Sequence, residues 1–210
     1  MAFRWRQEPV GGTPLPDPGV TVQPGTACPS LVKALGKILR DDRPRILDFG
    51  SQCGATAVAL ANRGAHVTVD EVSFPEPTPE ADDDDPVETP PYKLDHDDDA
   101  YDLILAWEMF DFIEAGRLQE VGNEFARILA KNGWLLLFAR NSGRNEPAPE
   151  ALPRYRITAE DRLIREACEG TRRERFTHPT RTVEAALKPL KVQGIHLQRN
   201  QLREFLSVKS

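Results

Sequence analysis

The sequence predicts an α/β sandwich: a mainly parallel, seven-stranded sheet closed by an antiparallel C-terminal hairpin. Three observations carry this reading. Short apolar runs alternate with stretches of helical period between residues 30 and 140. Residues 45–71 run as strand, glycine turn, helix and strand, a right-handed βαβ unit that requires a parallel sheet. The chain then ends as helix, strand, turn and strand over residues 182–208.

Taken in order, Ser30 is a plausible N-cap for a helix whose apolar positions Leu31, Val32, Leu35, Ile38 and Leu39 recur at helical spacing, and Asp41, Asp42 and Pro44 stop it. The run RILDFG at 45–50 is a buried strand that ends in glycine, and residues 55–63 form a small-residue helix closed by Gly64. Residues 65–71, AHVTVDE, make the second strand. Residues 92–95 fit a short edge strand, and residues 102–107, DLILAW, a buried one. Leu118, Val121, Phe125, Ile128 and Leu129 form one helix face, which Asn132-Gly133 ends before the strand at 134–138. Beyond Pro153, residues 155–158 and 163–167 pair as a small hairpin around 159–161; a short helix at 182–190 and strands at 191–197 and 202–208 complete the chain.

Charge and proline are segregated. Residues 70–100 hold thirteen acids against the single base Lys93, a local charge of -12, so the rest of the 210-residue chain carries +6 within a net charge of -6. Six prolines fall in residues 1–30 and six in 71–100. Such stretches bury too little apolar surface to offset chain entropy, so 1–28 is read as an irregular proline-rich arm. Residues 29–210 are read as one domain, with 74–91 an acidic, dispensable loop inserted in it, suited to a protein partner. An acidic chain is ill suited to general phosphate binding, so no nucleic-acid partner is expected. No apolar run approaches the about 18 residues of a membrane span, and the N-terminal residues lack a signal-peptide core, which makes the cytoplasm the expected compartment. Cys28, Cys53 and Cys168 show no CxxC spacing, and the four histidines no ligand spacing, so no metal site is expected.

The chemistry concentrates in DFGSQCG at 48–54. Gly50 and Gly54, where a strand turns into a helix, permit a sharp bend and close approach of a ligand. Glu71, twenty-three residues after Asp48, falls at the end of the second strand, where a carboxylate can grip a ribose diol; Asp70, one residue earlier, faces the other way. The same pattern also fits a packing turn followed by a solvated acid.

These residues resemble a known family. The stretch ILDFGSQCGATAVALANRGAHVTVDEV is similar to motifs I and II of class I S-adenosylmethionine-dependent methyltransferases, and YDLILAWEMFDFI with EFARILAKNGWLLLF to their fourth strand, next helix and fifth strand. The closing hairpin resembles theirs as well, and the likeness to bacterial methyltransferase-domain proteins extends over residues 30–210. The resemblance implies a Rossmann-like seven-stranded methyltransferase sandwich that uses S-adenosylmethionine to methylate a small-molecule or protein acceptor. It places Asp48, Gly50 and Gly54 beside the methionine part of the cofactor, Glu71 on the ribose hydroxyls and Asp95 at the adenine. Trp107 and Glu108 would line the floor where donor and acceptor meet, Trp107 near the sulfonium and Glu108 as a proton acceptor. Both also fit a buried strand-end aromatic and an acid complementing a helix N-terminus.

The sequence departs from the family's DxGxGxG at Gln52, which replaces the central glycine. An alternative is therefore a catalytically inactive methyltransferase-fold protein serving as an interaction or scaffold module. A nicotinamide-dependent oxidoreductase fits less well, for lack of a Tyr-Lys hydride-transfer pair. The eight arginines between Arg154 and Arg181, among five acids, read as a solvated face, a cover for the acidic loop or a hold for an anionic acceptor.

Overall fold

The computed structural model describes residues 25–49, 55–70, 91–141, 148–158, 162–166 and 171–210. Residues 1–24 of the arm, 74–90 of the acidic loop, and Gly50, Gly54 and Glu71 lie outside the described residues.

Apolar runs with little polar alternation become the strands of the main sheet, as expected for strands covered on both faces. These are β2 (Arg45–Phe49), β3 (His66–Val69), β4 (Tyr101–Ala106) and β5 (Leu129–Arg140), followed by β8 (Lys191–Leu197) and β9 (Leu202–Val208). Their order is β3-β2-β4-β5-β9-β8, with β3, β2, β4 and β5 parallel and β9 antiparallel to both its neighbours. The two strands read as buried, β2 and β4, are adjacent, and the C-terminal hairpin closes the sheet as predicted. Among the described residues the sheet has six strands rather than seven.

The expected edge strand at 92–95 is the missing one. That segment runs along α3 (Leu118–Ile128), whose polar side chains hold its backbone. Glu120 accepts from Tyr92 N–H at 2.9 Å and Glu124 from Leu94 N–H at 2.8 Å, while Arg127 donates to the Leu94 and His96 carbonyls at 2.9 and 2.7 Å. Residues 120, 124 and 127 share one helix face, so α3 supplies the partners a neighbouring strand would have given.

The two faces of the sheet bury separate cores. Leu47, Phe49, Ile104, Ala106, Leu135 and Leu137 meet α3 and α4 (Thr180–Ala186). Ile46, Leu103, Leu105, Trp107, Leu136 and Phe138 meet α1 (Pro29–Ile38), α2 (Ala55–Ala61) and a small three-stranded sheet. That sheet, in the order β1-β7-β6, joins β1 (Thr26–Ala27) to the predicted hairpin of β6 (Arg154–Ile157) and β7 (Arg162–Glu166). The arm expected over 1–28 is thus tied into the fold by its last residues.

Two helix ends differ from expectation. Pro29 occupies the first helical turn of α1 and Cys28 its N-cap, while Ser30 N–H donates to buried Glu204 at 3.1 Å, a cap supplied by β9. α3 stops at Ile128, because Leu129 already pairs with Tyr101 at the start of β5; Asn132, at φ 63°, then absorbs a register shift. Gly64, at φ 90°, closes α2 as predicted, with Ala65 N–H on the Leu60 carbonyl and Gly64 N–H on that of Ala61.

Candidate active site

Parallel strands β2 and β4 end side by side, with Phe49 opposite Ala106, and the crevice beyond their carboxyl ends is the ligand position of an open α/β sheet. Asp48 lies there with only 4% of its surface exposed. Trp107, one residue past β4, donates its indole N–H to Asp48 Oδ1 at 2.6 Å. Burial pushes the Asp48 carboxyl up to about 6, against the lowering effect of that hydrogen bond. A buried carboxylate with a single compensating donor among the described residues is costly to ionise.

Trp107 is fully packed. Its ring stacks on Tyr155 of β6 at 4.8 Å and 16°, and meets the edge of Phe138 at 5.2 Å. Thr56 of α2 fixes β6 from the other side, donating to the Tyr155 carbonyl at 2.7 Å and accepting from Ile157 N–H at 3.3 Å. The small sheet therefore covers the end of β4.

Glu108 follows with φ 50°, a left-handed conformation that a non-glycine residue adopts at a cost of about 1–2 kcal/mol. Its carboxylate is entirely buried and accepts hydrogen bonds from Tyr155 Oη, from Arg165 at 2.6 and 3.2 Å, and from Arg175 at 2.7 Å. Burial alone would raise this carboxyl; Arg165, Tyr155 and Arg175 outweigh it and hold the group below the usual carboxylate range. This corrects the expectation of a proton acceptor on the crevice floor: the carboxylate is occupied on both oxygens, depressed in basicity and sealed from solvent. Asp111 joins the cluster by accepting from Arg175 at 2.7 Å and from Arg140 N–H at 2.9 and 3.1 Å. Burial, then the neighbouring Glu108 charge, keep the Asp111 carboxyl well above its ordinary value. Arg165 and Arg175, among the arginines read from sequence as a solvated face, a cover for the acidic loop or a hold for an anionic acceptor, are the cations of this cluster.

On the opposite face Asp70 turns to His96, whose Nε2 lies 3.0 Å from its carboxylate, while Tyr101 Oη lies 3.1 Å from His96 Nδ1. Asp95 is exposed and lines the same polar depression as His96, Tyr101 and Arg127. The structure thus joins Asp48 to Trp107 at the ends of β2 and β4, encloses the neighbouring Glu108 in its arginine cluster, and sets Asp95 apart on the face of α3. Sequence reasoning passed over His96, Asp111, Glu150 and Tyr155. Only the hairpin around Tyr155 had a local signal.

A family model described as a methyltransferase domain matches residues 23–190. The chain belongs to that family. Among solved structures, a SAM-dependent methyltransferase from Methanosarcina mazei aligns at 13% identity and TM-score 0.53, covering 88% of this chain and 98% of that one. TehB from Haemophilus influenzae aligns at 15% identity and TM-score 0.50, covering 86% of this chain and 61% of that one. A 1,6-didemethyltoxoflavin-N1-methyltransferase from Burkholderia thailandensis, solved with S-adenosylhomocysteine, aligns at 14% identity and TM-score 0.49, over 87% of this chain and 77% of that one. No curated protein matches the sequence. At these identities the first two structures speak for the fold of this methyltransferase domain, and its chemistry rests on its own residues. No helix of the described residues is long and apolar enough to cross a membrane.

Proposed function

We propose that this methyltransferase domain is an active enzyme that transfers the methyl group of S-adenosylmethionine to a small-molecule or protein acceptor in the bacterial cytoplasm. The observation that carries the reading is Asp48: a buried carboxylate at the sheet's ligand-binding edge, oriented by Trp107 and raised by burial. Such a group fits the ammonium of the methionine moiety, whose charge would offset the cost of its desolvation. Gly50 and Gly54 would let the backbone approach the cofactor, Glu71 would hold the ribose hydroxyls and Asp95 the adenine. The buried thiol of Cys28 is in keeping with a reducing compartment.

When bound, S-adenosylmethionine supplies an electrophilic methyl group on a sulfonium. The chain's own contribution is to place and enclose: Asp48 orients the cofactor, Trp107 holds Asp48, and the small sheet excludes water from the end of β4. Glu108 has a positioning role, fixing β6 and β7 over that strand.

Calorimetric titration with S-adenosylmethionine and S-adenosylhomocysteine tests the reading. Binding should be saturable, abolished by Gly54→Val and weakened about 10- to 150-fold by Glu71→Ala, the loss of a charged hydrogen bond, with a smaller effect for Asp70→Ala. Absence of binding at millimolar concentration would reject the enzyme and leave the interaction module, which Gln52 in the glycine turn favours.

A further inference from the structure

We propose that the methyl acceptor carries a carboxylate, and that this carboxylate binds between Arg140, Arg165 and Arg175 in the place that Glu150 occupies. The inference deepens the methyltransferase reading of the same crevice and rests on it.

Glu150 sits where a ligand would. Its carboxylate accepts from Arg165 at 2.9 Å, from Arg175 at 2.5 Å and from Arg140 at 3.5 Å, three guanidinium groups converging on one planar anion. The cluster has two layers. Glu108 and Arg175 have side chains with 0% exposure, as has Asp111, and form a closed floor. The side chains of Glu150, Arg140 and Arg165 are 34%, 34% and 26% exposed and form the mouth.

Charge separates the layers further. Glu108 in the floor is the anion that Arg165 and Arg175 share, while burial and the Glu108 charge keep the Asp111 carboxyl well above its ordinary value. The Arg140 guanidinium comes no closer than 3.9 Å to Glu108 and is matched by Glu150. Arg203 lies behind Arg140, donating to its carbonyl at 2.5 Å, and adds no anion. Withdrawal of Glu150 therefore leaves a forked, positively charged socket sized for one carboxylate. Among the described residues, the Glu150 backbone is held by one bridge to Arg173, with both hydrogen bonds at 3.1 Å.

The position suits an acceptor. Arg140 ends β5 and Glu108 follows β4, so the socket opens at the same carboxyl edge of the sheet that carries Asp48. Trp107, which orients Asp48, is bonded in sequence to Glu108, which anchors the arginines. An anion held there would be fixed beside the cofactor position, with Glu150 as an internal stand-in until it arrives.

The test uses benzoate as probe, without cofactor, on wild type, Glu150→Ala, Glu150→Gln and Glu150→Ala with Arg140→Gln, with benzamide and chloride at matched ionic strength as controls. Benzoate should bind saturably to both Glu150 variants, at least about tenfold tighter than to wild type, and Arg140→Gln should reverse that gain. Equal response to benzoate, benzamide and chloride, or benzoate binding indifferent to Arg140→Gln, overturns the proposal. Should the alanine variant fail to fold, Glu150→Gln and the shift of the Arg165 Nε–H resonance in benzoate-titrated wild type decide it in the same way. Titration of the same proteins with S-adenosylhomocysteine reads the cofactor site separately, so failure of one reading is told from failure of the other.

Discussion

At Asp48 the proposed cofactor role conflicts with stability. Its carboxyl ionises near 6 in the folded chain against an ordinary 3.8, so the native state holds the proton more tightly than the unfolded chain does. Its contribution favours folding fully at pH below 3.8 and is lost as pH rises from there to about 6, a difference of about 3 kcal/mol. Asp48→Asn keeps an acceptor for Trp107 and removes the buried charge. It should raise stability at pH 7.5 by up to about 3 kcal/mol, as measured by urea unfolding, with the gain shrinking at pH 4.5, and should abolish cofactor binding. In the wild type, cofactor affinity should climb as pH passes through about 6 and then level off. Trp107→Phe, which keeps the ring stacked on Tyr155 but loses the donor, should move that midpoint upward, because the hydrogen bond is what lowers Asp48.

At the scale of elements, glycines decide how helices approach. A Cβ on Gly122 of α3 would lie 1.9 Å from the Ala186 carbonyl oxygen of α4, whereas one on Gly36 of α1 meets nothing within 4 Å. Gly122→Ala should therefore destabilise by about 1–3 kcal/mol despite its better helix propensity, and Gly36→Ala should stabilise by about 0.5–1 kcal/mol. Paired thermal melts of the two variants check the opposite signs. The β6–β7 hairpin depends on its side chains in a similar way. Tyr155→Phe leaves the ring in its stack and removes one donor from Glu108, so it should cost about 1–3 kcal/mol and speed amide exchange in β6 and β7.

At the scale of the molecule, the Glu108 cluster joins segments far apart in the chain. Glu108 and Asp111 follow β4, Arg165 lies on β7, and Arg175 precedes α4. Arg175→Met leaves Asp111 and Glu108 buried with fewer partners and should cost about 3–5 kcal/mol, read as a lower urea midpoint. The small sheet should loosen before the main sheet, as hydrogen exchange would show, because β5 and β9 are bound through seven residue pairs, of which only Arg140 with Leu202 touches the cluster.

The parallel strands, the glycine-closed α2 and the C-terminal hairpin were legible because each rests on a local pattern: apolar runs, a left-handed glycine, alternation around a turn. Asp48 stood out in the sequence by its place before two glycines; its burial against Trp107 did not. The sequence by itself thus determined the α/β class and the family, and marked the strand end proposed to carry the site. Tertiary structure decided the rest. It gave residues 92–95 to α3 rather than to the sheet, because Glu120, Glu124 and Arg127 satisfied their backbone from another element. It turned Glu108 from a floor acid into a clamped anion, since Arg165 and Arg175 lie 57 and 67 residues away. A carboxylate's basicity depends on its burial and on the cations around it, and both are set by residues that only folding brings together.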